Sequence, residues 1–197
     1  MAECDSIRIP TPGVSRRLAL ASLQLENLAA SFIVEARHFF AIGPSWEWPN
    51  LTSLVLTSGL LTPDKKATEV DALLRAAAAA ALKMPRLETM EIWNGRKGLA
   101  ALFQYRACRS LKQAGILWRG TWEWKMEPSV LQAWEAVVHQ MYADGRLDFV
   151  QEWVDEAAIK SHGDALHRLK LSGQVIRPIS LQQIQREQKA LEGVRTL

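Results

Sequence analysis

A leucine triplet recurs three times along this chain, at intervals that suit one strand followed by one helix. Leu20-x-x-Leu23-x-Leu25 is echoed by Leu51-x-x-Leu54-x-Leu56 and by Leu87-x-x-Met90-x-Ile92, with starts 31 and 36 residues apart. A polar residue stands seven places after each first leucine: Asn27, Ser58 and Asn94. The last two apolar positions of each triplet are two apart, so they share one face of a strand. Helix-compatible stretches, Leu28 to Ile42 and Thr68 to Met84, lie between the triplets. The second opens on Thr68-x-x-Asp71, a capping signal, and runs through six consecutive alanines, Ala76 to Ala81, the best helix formers. Pro85 stops it. The expected arrangement is strand, helix, parallel strand, with right-handed crossovers.

After Gly98 the pattern changes. Ala100 to Cys108 and Gly115 to Trp124 are rich in aromatics and lack helical period, with Lys112 and Gln113 between them, which predicts a hairpin extending the sheet. Glu127-Pro128-Ser129 opens a helix with its apolar stripe on Val130, Leu131, Trp134, Val137, Val138, Met141 and Tyr142, ended by Asp144-Gly145. Leu147 to Val150 reads as a short strand, and Ser161-x-x-Asp164 as the start of a helix carrying Ala165, Leu166 and Leu169. Val175-Ile176 is read as extended, and Ser180-x-x-Gln183 as a capping box for a last helix through Leu191. No linker rich in Gly, Pro or Ser divides the chain, so residues 1–197 are expected to form one domain, with residues 1–15 disordered.

Hydrophobic residues make up 48% of the chain and charged residues 23%, the proportions of a globular protein with a real core. The longest apolar run, Ala76 to Met84, is far short of the roughly 20 residues a membrane helix needs. Glu3 and Asp5 stand where a targeting peptide would be basic or uncharged. Cys4 and Cys108 fit no disulfide or metal framework, which suggests a reducing compartment, cytoplasmic or nuclear. The net charge of +3 is unevenly spread. Glu123 to Glu156 holds eight acidic residues against Lys125 and Arg146, whereas Lys160 to Leu197 holds seven basic residues against Asp164, Glu187 and Glu192. No dense basic cluster interleaved with aromatics occurs, which speaks against nucleic acid as a partner.

The triplets resemble the strand segment of a leucine-rich repeat, although standard repeats are shorter and carry their asparagine one position later. A wider resemblance rests on Leu51-Thr52-Ser53-Leu54-Val55-Leu56-Thr57-Ser58, Met90-Glu91-Ile92-Trp93-Asn94-Gly95, Leu102-Phe103-Gln104-Tyr105-Arg106 and Trp118-Arg119-Gly120-Thr121-Trp122. Ser161-His162-Gly163-Asp164-Ala165 and Pro178-Ile179-Ser180-Leu181-Gln182-Gln183-Ile184 add to it. Together, over residues 45 to 190, they resemble the carboxy-terminal region of fungal F-box proteins of unknown function. That resemblance implies the substrate-recognising half of a ubiquitin-ligase adaptor. Residues 1 to 45 lack the Leu-Pro-rich opening and helical core of an F-box, so ligase recruitment is not implied.

No P-loop, dinucleotide fingerprint or G-x-S-x-G motif is present. His162, Asp164 and His167 lie close in sequence, but a spacing of five puts the two histidines on different helix faces, and no metal or cofactor is expected. The expected fold is therefore α/β: a short, irregular, leucine-rich-repeat-like parallel sheet with flanking helices, extended by an antiparallel hairpin. In such a sheet Met90 and Ile92 point inward, and Glu91 and Trp93 point to the opposite face beside Val55 and Thr57, with Trp118 and Arg119 adjoining. Those six residues are the expected binding surface for a protein partner, without catalytic activity, since tryptophan and arginine are over-represented among binding hot spots; the alternative, of equal weight, is that the following segments cover this face and the tryptophans merely pack. The second reading is a small-molecule enzyme or ligand carrier with a tryptophan-lined pocket and Glu91 or Asp164 as general acid or base. An enclosed cavity of about 300 Å³ or more would distinguish it.

Overall fold

A computed structural model describes residues 10–41, 43, 45–172, 181–183 and 186. Its centre is a six-stranded sheet in sequential order, formed by β1 (Asn27–Glu35), β2 (Ser53–Thr57), β3 (Thr89–Arg96), β4 (Leu99–Cys108), β5 (Gln113–Gly120) and β6 (Arg146–Trp153). β1, β2 and β3 are mutually parallel, β4 runs against both its neighbours, and β5 and β6 are parallel. Helices α1 (Pro12–Ala21), α2 (Ala36–Phe39), α3 (Ala67–Ala81) and α4 (Pro128–Met141) contribute to the core on one face. Helix α5 (His162–Leu169) covers part of the other.

The period of two decides which side chains go where. Leu54 and Leu56 pair in register with Met90 and Ile92, and all four are buried in the larger core. Phe103, Tyr105, Ile116 and Trp118 continue that face across the hairpin. The alanine run of α3 lets this helix lie close, with Ala77, Ala78, Ala80 and Ala81 all buried. In α4, Pro128 occupies the first turn, where its missing N–H costs nothing, and Val130, Trp134, Val137 and Val138 form the buried stripe. Trp134 stacks on Tyr105, with ring centroids 4.8 Å apart.

The second and third triplets thus enter adjacent parallel strands, but the first does not. Leu20 lies in α1, and Leu23 and Leu25 in the turn after it; Leu20 and Leu25 are exposed. Local chemistry explains the departure. Thr11 caps α1, its hydroxyl accepting from the Val14 N–H, and Pro12 is pre-set for the first helical turn. Residues 12–15, expected to be disordered, are therefore helical. The strand comes later, in Asn27–Glu35, where a helix was expected over Leu28 to Ile42, and among the described residues of that stretch only Ala36–Phe39 are helical. Its Leu28 and Ala30 pair with Leu54 and Leu56.

The amino end of α3 also differs from expectation. Its cap is Lys66, whose N–H donates to the Glu69 carboxylate, not Thr68. Asp71 faces the core instead, where its Oδ1 accepts from Trp124 Nε1 at 3.2 Å. Burial raises the Asp71 carboxyl above its ordinary value, partly offset by that hydrogen bond. The expected strand at Val175-Ile176 lies outside the described residues, and of the last helix only 181–183 and 186 are described, all helical.

Two outcomes follow from this packing. A raised carboxyl pKa means the folded state holds the Asp71 proton more tightly than the unfolded chain, so stability falls as pH rises from the unfolded value through the folded one. Asp71→Asn keeps the acceptor and removes the charge. It should raise the melting temperature at pH 7, with the gain shrinking toward pH 4, as measured by thermal unfolding at both. The second outcome concerns Gly95, where a Cβ would lie 2.5 Å from Ala165 Cβ. Gly95→Ala should cost about 1–3 kcal/mol in urea unfolding, and Ala165→Gly in the same chain should recover part of that loss.

Candidate functional site

Of the two readings of the face carrying Glu91 and Trp93, an open binding surface or one covered by later segments, the structure has the second. Both residues are fully buried, Val55 is buried beside them, and Thr57 is 9% exposed. The cover is α5, whose Ala165, Leu166 and Leu169 pack on Val55, Trp93, Ala100 and Leu102. Its N-cap Ser161 accepts from the Asp164 N–H, while the Asp164 carboxylate accepts from the Ser161 hydroxyl at 3.0 Å. Asp164 is thus a capping group. Trp118 lies on the opposite face, against Trp122 and Trp124, so it does not join the other five residues.

Hydrogen bonds tie this cover down. Glu91 Oε1 accepts from Gln104 Nε2 at 2.5 Å and from the Ser172 N–H at 2.8 Å, so the buried carboxylate anchors the chain just beyond α5. Its Oε2 has no partner among the described residues. Arg119 donates to the Leu169 carbonyl in the last turn of α5 and to Glu152 Oε2 at 2.7 Å. A cation at a helix carboxyl end also complements the helix dipole. The hydrogen bond from Arg119 holds the Glu152 carboxyl below its ordinary value.

At the rim of α5 the buried tryptophan reaches a surface after all, through a bulge in β1. The β1–β2 register runs Ala30↔Leu56 and then Glu35↔Thr57, so Ser31 to Val34 loop out of the ladder. Phe32 sits within the bulge at φ +64°, a region L-residues other than Asn and Asp rarely occupy. Its N–H donates to Thr57 Oγ1 at 2.8 Å, and the same hydroxyl donates to the Val34 carbonyl at 3.2 Å. Trp93 Nε1 donates to Ser31 Oγ at 3.1 Å. The Phe32 ring meets Trp93 edge-on at 5.1 Å and His162 at 6.0 Å. Phe32 is nevertheless 51% exposed, and Ile33 63%.

The bulge closes with a second buried carboxylate. Glu35 Oε1 accepts from the Ser58 hydroxyl at 2.5 Å, and its Oε2 from the Gly59 N–H at 2.9 Å. The carboxyl ends of parallel strands are the usual ligand position in α/β sheets. Here the hydroxyl and amide that a phosphate could use are already engaged by a carboxylate from the chain itself. What remains outward is apolar: Phe32 and Ile33, with His162 beside them.

Sequence reasoning did not find Phe32, Ile33 or Glu35 because the segment was read as a helix. The signal available was Phe32-Ile33-Val34, an aromatic and β-branched run better suited to a strand. Elsewhere, a cleft of about 200 Å³ opens between the ends of α3 and α4, lined by Pro85, Arg109, Gln140, Met141 and Tyr142 among others. Among the described residues no group of three His, Cys, Asp or Glu side chains gathers as a metal site, and no helix is long and apolar enough to cross a membrane.

Sheet, helices and rim together define a mixed α/β protein with a six-stranded sheet covered unequally on its two faces. The chain belongs to DUF6546, a family of unknown function, which it matches over residues 1–177. Neither a curated protein nor a solved structure matches it.

The geometry makes Thr57 the clamp of the bulge. Thr57→Val removes the acceptor for the Phe32 N–H and the donor to Val34, and should cost about 1–3 kcal/mol. Amide hydrogen exchange should quicken at Phe32 and its neighbours while the β3–β4 ladder stays protected.

Proposed function

We propose that this chain is a protein-recognition module without catalytic activity, corresponding to the substrate-binding half of an F-box protein as the sequence resemblance implies. In this reading β1–β2–β3 form a short, irregular leucine-rich-repeat-like unit. The in-register pairs Leu54–Met90 and Leu56–Ile92 support it. The contact surface is the β1 bulge, and the residues singled out in the sequence act behind it. Thr57 and Trp93 hold Phe32, Val55 and Glu91 seat α5, and Arg119 secures its carboxyl end.

One observation carries the proposal. An exposed phenylalanine is held at positive φ by a buried hydroxyl and a buried indole. Such backbone costs of order 1–3 kcal/mol and persists only where its surroundings enforce it. A large apolar ring kept in water at that cost suits a group that a partner covers, and adjacent Ile33 extends the area. Aromatic anchors backed by fully packed residues are the pattern of binding hot spots. A reducing compartment, cytoplasm or nucleus, is the setting we assign to it.

The small-molecule reading gains no comparable support. Trp48, Trp93, Trp118, Trp124 and Trp134 are fully buried side chains packed in the interior, and the α3–α4 cleft is below the volume such a ligand needs.

Phe32→Gly separates fold from recognition, because glycine accepts the backbone conformation while the ring is lost. Its stability should stay within about 1 kcal/mol of the native chain. Affinity capture from native cell extract with the native chain, followed by titration of the captured protein, should give binding that Phe32→Gly together with Ile33→Ser weakens at least tenfold. Equal recovery and affinity with the variant would overturn the proposal.

A further inference from the structure

The two edges of the sheet are built differently. β1 carries the Ser31–Val34 bulge, which breaks the regular edge. β6 pairs with β5 in unbroken register over all eight of its residues, from Gln113↔Arg146 to Gly120↔Trp153. Arg146–Trp153 has no proline, no lysine and no bulge; its edge protection is limited to the charges of Arg146, Asp148 and Glu152. Three large apolar residues are exposed along it, Phe149 at 39%, Val150 at 53% and Trp153 at 67%, and they occupy both faces. No strand lies on its outer side among the described residues.

The ladder fixes which groups point outward. Arg146 N–H donates to the Lys112 carbonyl and Val154 N–H to the Gly120 carbonyl, so the even-numbered amides face β5. By the two-residue period, the amides and carbonyls of Leu147, Phe149, Gln151 and Trp153 face away from it. The charges are arranged about the middle of this edge. Arg146 stands three residues before Phe149 and Glu152 three residues after it, and Arg146 forms no ion pair among the described residues.

We propose that β6 is a self-association edge, pairing antiparallel with β6 of a second copy of this chain about a two-fold axis at Phe149. That register brings Arg146 of each copy opposite Glu152 of the other. It sets Leu147 opposite Gln151 of the second copy and Phe149 opposite its own counterpart. About six outward backbone hydrogen bonds form, two for each such pair. Each sheet face stays continuous, because opposed residues have the same parity. Sliding by one step that keeps the faces either opposes Asp148 to Glu152 of the second copy or opposes Asp148 to its own counterpart. Of the two-step slides, one opposes Arg146 to Asp148 but pairs only residues 146–148 of each strand, and the other pairs only residues 149–153 and leaves Arg146 outside the ladder. The charge pattern is therefore self-complementary in this register, as pairing with a second copy requires. Glu152 enters the interface ionised, since Arg119 already holds its carboxylate. The sheet becomes twelve strands long and buries the apolar groups of the edge. This inference is independent of the role assigned to Phe32.

The test is sedimentation equilibrium of the full chain from about 1 to 200 µM, a range suited to a contact at the small end of stable interfaces. The native chain should move from its monomer mass of 22.1 kDa toward twice that value. Phe149→Lys should remain monomeric throughout, with its circular-dichroism melt checking that it folds. Arg146→Glu, a change on an exposed side chain, should raise the dissociation constant at least tenfold by opposing like charges. Ile33→Lys, on the other edge, should associate as the native chain does. A native chain that stays monomeric at the highest concentration overturns the proposal, and so does association that Arg146→Glu leaves unchanged.

Discussion

The approach of α5 to β3 decides what surface this protein has. It rests on a missing side chain: at Gly95 even a methyl group would overlap Ala165. With the helix that close, Trp93 loses all exposure, and Glu91 is forced into hydrogen bonds with Gln104 and the Ser172 amide. Burying a carboxylate is costly unless it is well partnered. Here its partners are the chain segment that must be held for α5 to stay down. Arg119 does the same from β5, at the Leu169 carbonyl. Apolar contact and polar anchoring thus depend on one another, and neither is complete without the glycine.

Closing this face transfers any role in recognition from the flat of the sheet to its rim. Trp93 no longer offers area to a partner but gives Phe32 something rigid to stand on, and Thr57 fixes the Phe32 backbone from below. The same bulge turns Glu35 inward, where its carboxylate satisfies Ser58 and Gly59 at the end of β2. An apolar rim and a filled anion position arise from one irregularity in one strand.

Much of the architecture was legible in the sequence because it depends on local periodicity. Leu54, Leu56, Met90 and Ile92 announce two strands with one buried face, and the stripe from Val130 to Val138 announces α4. The first triplet misled because its leucine spacing suits either a strand or a helix, and only the Thr11-Pro12 cap tells them apart. The site was less legible for a different reason. Alternation correctly assigns Glu91 and Trp93 to the face opposite Met90 and Ile92, but which helix covers that face is a tertiary fact. The clue lay in Gly95 and Ala165, two small residues 70 positions apart whose meaning appears only when they meet. Trp118 failed the same test from the other side, since its parity with Ile116 places it in the larger core.

The unequal covering of the sheet also bears on its edges. Four helices fill one face, whereas on the other α5 contacts β3 and β4, and β6 is largely bare among the described residues. A strand with seven of eight residues exposed contributes little burial to its own fold. It persists because eight register pairs with β5, the Arg119–Glu152 ion pair and the Phe149–Trp124 ring contact hold it. Those attachments all lie on its inner side. An edge ordered from within, regular in register and with apolar groups exposed on both faces is already shaped as half of a strand pair. Adding the second half requires no rearrangement, because the backbone is already extended and the outward amides already alternate.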